Sequence, residues 1–149
     1  MSRDPVRMID VSGKETVPRR ATAVGTLKLK RSTVDAIRGG EVRKGNPLTV
    51  AEVAAIQAVK KTSELIPLCH PVPVDAVDVK FRLGADHVEA ECTVAATYRT
   101  GVEMEALTGV SVALLNVWDM VKYLEKDEGG QYPDAAITGI RVTEKWKGK

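Results

Sequence analysis

Aromatic side chains are scarce in this sequence of 149 residues, which has one phenylalanine, two tryptophans and three tyrosines. The hydrophobic core must therefore be built mainly from valine, alanine, leucine and isoleucine. The two cysteines, Cys69 and Cys92, form no CxxC pair, and Met1–Arg7 shows no signal-peptide pattern. We therefore expect a reduced, cytoplasmic protein that needs no disulfide bonds for its stability.

Long apolar runs and an excess of one charge are also missing. The longest apolar stretch, Leu107–Val121, includes Asn116 and Asp119 and is too short and too polar to span a bilayer. Lysine and arginine total 22 against 20 acidic residues, which leaves a formal net charge of +2. So small an excess does not favour a dedicated nucleic-acid-binding protein. We expect neither a membrane nor a nucleic acid as a partner.

The remaining composition is ordinary for a globular protein, with 44% hydrophobic and 28% charged residues. The length is that of one domain with a sizeable core, and the chain contains no internal repeat and no long linker. We therefore expect a single domain that covers residues 1–149.

Apolar alternation and helix-capping signals predict four strands and three helices. Asn46 followed by Pro47 is typical of a helix start, and Asp35 stands where an acidic residue completes a capping box. Three prolines between residues 66 and 73 predict a rigid extended loop. The predicted strands cover residues 20–30, 77–83, 88–98 and 137–146, and the predicted helices cover 32–38, 47–61 and 102–126.

This order reduces to β-α-β-β-α-β, the pattern of the ferredoxin-like α+β fold. We therefore predict a four-stranded antiparallel sheet with its helices on one face. The last helix is apolar nearly all round, with Asp119 as the single charged residue of Leu107–Val121. One face of such a helix would pack on the sheet and the other on a second subunit, which predicts a symmetric oligomer. The alternative is a long crossover helix that is simply rich in valine and alanine.

Candidate catalytic groups lie on this last helix. Asp119 and Lys122 are three residues apart and share one helix face, where their charges can shift each other's pKa and prepare an acid or base near neutral pH. The alternative is a structural ion pair at an oligomer seam. Glu103 and Glu105 stand at the helix start, where the helix dipole also favours acidic residues. Glu105 and Asp119 are about 21 Å apart at 1.5 Å per residue, so one small ligand reaches both only in a site built by two subunits.

Two further candidates lie in loops. Lys44 precedes a helix N-terminus, where its ammonium and free backbone N–H groups could hold an anion such as phosphate. His70 is wedged between Cys69 and Pro71, where proline rigidity would hold the side chain in a site. Each has a plainer alternative, a solvated charge for Lys44 and a structural role for His70. No second Cys/His pair offers metal-ligand spacing, so no metal site is expected.

Several longer motifs resemble one family, the cyclic pyranopterin monophosphate synthases, known as molybdenum cofactor biosynthesis protein C. The motifs occur in the family's order and run from about Met8 to Lys126. They are MIDVSGK at 8–14, Lys44-Gly45, KKTSELIPLCHP at 60–71, TGVEMEALT at 100–108, and Asp119-Met120 with Lys122.

The resemblance implies a lyase that converts 3′,8-cyclo-7,8-dihydroguanosine triphosphate to cyclic pyranopterin monophosphate and releases pyrophosphate, without a cofactor. It also implies a homohexamer, a trimer of dimers, with active sites at the subunit interfaces. The positions that match the family's catalytic residues are Lys44, Asp119 and Lys122. The positions that match its substrate-binding residues are Arg19, Lys60, Leu68, Cys69, His70, Glu103, Met104 and Glu105.

The sequence departs from the family in its tail, residues 142–149, which lacks a glycine- and lysine-rich ending, so no site residue is assigned there. The competing function is a non-catalytic ferredoxin-like module that binds a nucleotide as an effector. An RNA-binding version would need exposed aromatic residues on its central strands. Phe81 and Tyr98 instead fall on the predicted inward faces.

Overall fold

The computed structural model describes residues 4–149, so the first three residues of Met1–Arg7, where we expect no signal peptide, lie outside it. The four strands form one antiparallel sheet in the order β2-β3-β1-β4, and the helices cover one of its faces. This is the predicted ferredoxin-like fold. In chain order the elements are β1 (Val17–Lys28), α1 (Arg31–Arg38), α2 (Pro47–Lys60), α3 (Thr62–Leu65), β2 (Val74–Leu83), β3 (His87–Tyr98), α4 (Glu103–Glu125) and β4 (Ala136–Lys147).

The two central strands carry the apolar alternation that the sequence shows. Ala21, Ala23 and Leu27 of β1 are fully buried, and they lie opposite Val94, Cys92 and Val88 of β3, which are fully buried as well. The side chains between them point to the other face of the sheet, which is more exposed. The core is therefore aliphatic, as the scarcity of aromatic residues predicts.

Helix α4 lies unusually close to both β3 and α2. A Cβ atom added at Gly109 would stand 2.7 Å from Cys92 Sγ and 2.8 Å from Val59 Cγ2. At the other end of α2, Lys44 in the preceding loop reaches Asp119 near the end of α4. The two helices therefore run antiparallel, with the start of α2 beside the end of α4.

Helix α1 begins earlier than predicted and is capped from elsewhere in the chain. Its N-cap is Lys30, whose side chain makes no capping hydrogen bond, and Asp35 pairs with Arg38 instead of completing a capping box. The buried carboxylate of Glu125 accepts hydrogen bonds from the Lys30 N–H at 3.0 Å and from the Thr33 hydroxyl. A residue at the end of α4 therefore does the capping that the local sequence led us to expect of Asp35.

The segment before β2 also differs from the prediction. One helical turn, α3, continues directly after α2, and the irregular loop begins only at Ile66. The Thr62 hydroxyl donates to the Ala58 and Val59 carbonyls, which fixes this turn to the end of α2. The sequence does not predict α3, because a single turn is too short to show helical periodicity.

The apolar surface of α4 is covered largely within the chain, because the sheet takes one side and α2 takes another. On these two helices the exposed large apolar side chains are Val50, Val53, Met104 and Leu115. The expectation that Leu107–Val121 is too short and too polar to span a bilayer does not hold for the whole of α4, which by length and composition could cross a membrane. Half of its most apolar window is buried inside the protein, however, as in the core helix of a soluble domain. The symmetric oligomer therefore stays a prediction that α4 alone does not require.

Replacing Gly109 with alanine tests the close packing of α4. Alanine has the higher helix propensity and would by itself stabilise α4. Here we expect Gly109→Ala to lower the free energy of unfolding by roughly 1–3 kcal/mol, because the new Cβ collides with Cys92 and Val59. Chemical denaturation measures this difference.

Gly13→Ala is the matched control, since a Cβ at Gly13 meets no heavy atom within 4 Å. If Gly109→Ala left the protein as stable as Gly13→Ala does, the helix would not be in close contact with the sheet and α2.

Candidate active site

Three predicted catalytic residues form one cluster, which we call the lysine cluster: Lys44, Asp119 and Lys122. Lys44 Nζ lies 3.1 Å from Asp119 Oδ2, and Lys122 Nζ lies 3.0 Å from Asp119 Oδ1. Each carboxylate oxygen therefore holds a different ammonium group. All three side chains are about half exposed, so an anionic ligand can reach both cations.

The opposite charges in the lysine cluster stabilise one another, as the pKa shifts of Asp119 and Lys122 show. Hydrogen bonds from Lys122 and Lys44 lower the pKa of Asp119 below its ordinary value. The hydrogen bond to Asp119 in turn raises the pKa of Lys122. Both shifts move away from neutrality, so the expectation of an acid or base poised near neutral pH is wrong for this pair. At neutral pH Lys122 is an ammonium that can donate a proton or stabilise negative charge.

The loop before α2 presents Lys44 from a tight turn. Gly45 adopts a φ of +118°, which a residue with a side chain rarely adopts, and its N–H donates to the Val42 carbonyl at 3.1 Å. Asn46 Oδ1 accepts from Leu48 N–H at 3.0 Å and from Thr49 N–H at 3.4 Å.

The start of α2 therefore has its N–H groups occupied. Pro47 has no N–H, Asn46 caps the next two, and Val50 N–H donates to the Asn46 carbonyl. The expectation of free backbone donors at the start of this helix is therefore wrong. The groups that could hold an anion here are the ammonium groups rather than the N–H groups of the first turn of α2.

A second cluster lies at the start of α4, and we call it the glutamate cluster: Cys69, Glu103 and Glu105. Glu105 is 2% exposed, and its Oε2 lies 3.9 Å from Cys69 Sγ. Burial raises the pKa of Glu105, and the charge of Glu103 adds to the shift. Burial also raises the pKa of the Cys69 thiol, so Cys69 is a donor to Glu105 rather than a nucleophile.

Glu103 is the more accessible acid of the two, with 27% of its side chain exposed. Its carboxylate lies directly over Gly101, where any Cβ would collide with it. Lys145 Nζ stands 3.6 Å from Glu103 Oε2. Lys145 is a site candidate that the sequence does not predict, because the tail lacks the family's ending. The strand register explains its position, because Lys145 pairs with Ala21, whose side chain faces the helices.

Arg19 is placed near the start of α4, but its guanidinium is already engaged. It is 7% exposed, and its Nε and Nη2 donate to the carbonyls of Tyr98 and Arg99 at 3.2 Å each. Arg20 points to the other face of the sheet, where it pairs with Glu144. The hydrogen bonds of Arg19 therefore fix the segment that leads into α4.

The remaining predicted residues lie at the end of α2, in the loop that carries Cys69 and on the first turn of α4, at the same end of the fold as the glutamate cluster. Lys60 is exposed at the end of α2. Leu68 is 46% exposed and His70 is half-buried, both in the loop that carries Cys69. Met104 is 41% exposed on the first turn of α4.

The two clusters do not meet within one chain. Glu105 and Asp119 lie on the same helix, α4, which places them about 21 Å apart at 1.5 Å per residue. Within residues 4–149, no group of three or more His, Cys, Asp or Glu side chains is arranged to hold a metal ion. The site therefore consists of an exposed, charged half and a more buried, acidic half at opposite ends of α4.

Comparison with known proteins identifies relatives of this chain. Residues 8–148 match the MoaC family. The chain is 57% identical over 144 residues to a protein of Thermococcus kodakarensis named probable cyclic pyranopterin monophosphate synthase, an alignment that spans 97% of this chain and 92% of the relative. A protein of Aeropyrum pernix with the same name is 57% identical over 141 residues, 95% of this chain and 97% of the relative. A protein of Methanothermobacter thermautotrophicus, named probable cyclic pyranopterin monophosphate synthase accessory protein, is 56% identical over 142 residues, 95% of this chain and 89% of the relative.

The buried Glu105 predicts a pH-dependent effect on stability. Because its folded-state pKa is raised, the stability it contributes is present below the ordinary glutamate pKa and is lost as the pH rises through the raised value. We expect Glu105→Gln, which mimics the protonated acid, to gain thermal stability over the parent protein as the pH increases from 4 to 8. Melting temperatures of both proteins across this range measure the gain.

The exposed Glu64 on α3 provides the control, since Glu64→Gln removes one negative charge without changing a buried group. A stability difference at Glu105 that stayed constant with pH would show that this carboxyl ionises as freely in the folded protein as in the unfolded chain.

Proposed function

This chain belongs to the MoaC family, and we propose that it is a cyclic pyranopterin monophosphate synthase of molybdenum cofactor biosynthesis. It acts as a lyase on 3′,8-cyclo-7,8-dihydroguanosine triphosphate and releases pyrophosphate. The observation that carries the proposal is the lysine cluster, in which two ammonium groups share one carboxylate at an exposed position. Such a pair of cations suits a substrate that carries a triphosphate.

The reaction must make a cyclic monophosphate from a triphosphate. A hydroxyl oxygen of the substrate forms a bond to the α-phosphorus, the bond from that phosphorus to the pyrophosphate oxygen breaks, and the hydroxyl loses its proton. Negative charge develops on the departing pyrophosphate. Lys44 and Lys122 stabilise this charge, and Asp119 holds them at the required spacing.

Lys122 has a second role that follows from its charge. Because Asp119 raises its pKa, Lys122 enters the reaction protonated. It can donate that proton to the leaving pyrophosphate or during rearrangement of the ring, but as a weaker acid than an unpaired lysine, because the raised pKa disfavours loss of the proton. The base that removes a proton is then a different group, since Lys122 has no free electron pair in this state.

The glutamate cluster binds the guanine-derived ring. The Glu103 carboxylate can accept hydrogen bonds from an amino group and an adjacent ring N–H at once. Glu105 lies behind it, held in place by burial and by Cys69. Leu68 and Met104 supply apolar walls, Lys60 and Lys145 supply positive charge for phosphate, and His70 supplies a ring N–H as a hydrogen-bond donor. Arg19 supports the site by bracing the chain before α4.

A complete site requires two chains. The two clusters of one chain are about 21 Å apart, farther than one small substrate spans, whereas clusters from neighbouring chains can face each other. We propose a cytoplasmic homohexamer, a trimer of dimers, in which each active site combines the lysine cluster of one subunit with the glutamate cluster of another.

Alanine replacements in the lysine cluster test the activity. We expect Lys44→Ala, Asp119→Ala and Lys122→Ala each to lower turnover by about a hundredfold or more, since each removes or releases a cation at the leaving group. The assay follows pyrophosphate release from the cyclic dihydroguanosine triphosphate and pterin fluorescence after oxidation.

Lys80→Ala is the matched control, because Lys80 is an exposed lysine on β2 outside both clusters. Tight substrate binding without turnover in the unmodified protein would contradict the proposal and favour a nucleotide-binding regulatory module. The names of the relatives support the synthase and not that module.

Mixing two inactive variants tests the composite site. One variant carries Lys122→Ala and the other carries Glu103→Ala, and the two are unfolded and reassembled together. If each site takes one cluster from each of two subunits, random assembly leaves roughly a quarter of the sites with both clusters intact. We expect turnover to return to about that fraction of the parent activity.

Each variant reassembled alone serves as the control and stays inactive. If the mixture stayed as inactive as the separate variants, both clusters would have to act within one chain. A monomer in light scattering would contradict the composite site independently of activity.

A further inference from the structure

The turn that carries Lys44 is tied to α4 by a single tyrosine. Tyr123 Oη accepts a hydrogen bond of 2.9 Å from the backbone N–H of Arg43, the residue before Lys44. The Arg43 guanidinium lies over the Tyr123 ring, 4.5 Å from its centroid. The ring itself packs against the hydrophobic core. Tyr123 is therefore held by the core and contacts both the main chain and the side chain of Arg43.

This contact acts on the side of the turn before Lys44, next to the buried Val42. After Lys44, the main chain is already fixed by Gly45 at positive φ and by the Asn46 cap of α2. Before Lys44, the contact from Arg43 to Tyr123 holds the chain. Lys44 is exposed, and its ammonium has a long flexible stem, so the position of its backbone decides how often it meets Asp119.

The last turns of α4 carry three of the residues that determine the lysine cluster and the position of its loop. Asp119 supplies the carboxylate, Lys122 supplies one ammonium three residues later, and Tyr123 fixes the loop that delivers the other ammonium. A rigid helix therefore sets the spacing of both cations, although one of them comes from a loop 75 residues away in sequence.

We propose that Tyr123 is a positioning residue that holds the Lys44 ammonium against Asp119 through the main chain of Arg43. Its effect on Lys44 follows from the contacts alone. Its importance for turnover rests on the proposed function, in which Lys44 stabilises the leaving pyrophosphate. The hydroxyl and the ring have separable roles, because Tyr123→Phe removes the hydrogen bond and keeps the ring under Arg43.

Competitive acetylation of the assembled protein, read out for each lysine by mass spectrometry, measures the position of Lys44 without any activity assay. A lysine whose ammonium is held by a carboxylate reacts slowly. We expect Tyr123→Phe to increase the acetylation rate of Lys44 by about three- to tenfold, the range that loss of one hydrogen bond produces. Lys122, which keeps its own contact with Asp119, should change by less than about twofold.

Tyr98→Phe is the matched control, because the Tyr98 ring lies beside Arg99, before the start of α4, and not beside the Lys44 turn. Unchanged acetylation of Lys44 in Tyr123→Phe would overturn the proposal. So would an equal increase in Tyr98→Phe.

Turnover separates this proposal from the proposed function. If Tyr123 acts through Lys44, Tyr123→Phe lowers kcat in the parent protein but has no further effect when Lys44→Ala is already present. An additional loss in the double variant would overturn the positioning role. Faster acetylation of Lys44 with unchanged kcat would support the positioning role and would instead contradict the catalytic role of Lys44.

Discussion

Contact between α4 and its neighbours at Gly109 sets the geometry of the whole molecule. With no side chain at that position, α4 approaches both Cys92 on the sheet and Val59 on α2 more closely than a residue with a Cβ would allow. The alanines of the central strands serve the same purpose, because small side chains leave the helix close to the sheet. Helix α4, held in this way, carries Asp119 and Lys122 toward one end and Glu103 and Glu105 at the other. The distances inside each cluster follow from this helix more than from the loops that contribute to it.

The two ends of α4 provide opposite electrostatic environments. At its end, Asp119 is exposed to water and paired with two lysine side chains; its pKa is lowered and that of Lys122 is raised, so these two groups stay charged at neutral pH. At its start, Glu105 is buried beside Glu103 and a thiol, so its neutral form is favoured. Phosphate groups suit the first environment and the polar edge of a heterocycle suits the second. A substrate that carries both parts is matched by the two clusters together and by neither alone.

Local sequence patterns predicted the elements of this fold but not the contacts between distant parts of the chain. The alternation in β1 and β3 and the Asn46-Pro47 start of α2 depend on neighbouring residues, and both predictions are confirmed. The cap of α1 comes from Glu125, 95 residues after Lys30, so no local pattern could reveal it. The place of Lys145 beside Glu103 depends on the pairing of β4 with β1, and the direction of the Lys122 pKa shift depends on the contact between its ammonium and Asp119. Spacing alone brought Asp119 and Lys122 together, because three residues on a helix lie on one face.

Symmetry explains how one helix can serve two sites in the proposed assembly. In that assembly, a two-fold axis across the middle of α4 would carry the start of one helix to the end of its partner. The glutamate cluster of each chain would then face the lysine cluster of the other, and a single contact would create two equal sites. The separation of about 21 Å inside one chain would become the distance between the two sites rather than a gap within either of them. Substrate bound across such a contact would touch both subunits, so binding and assembly would stabilise each other.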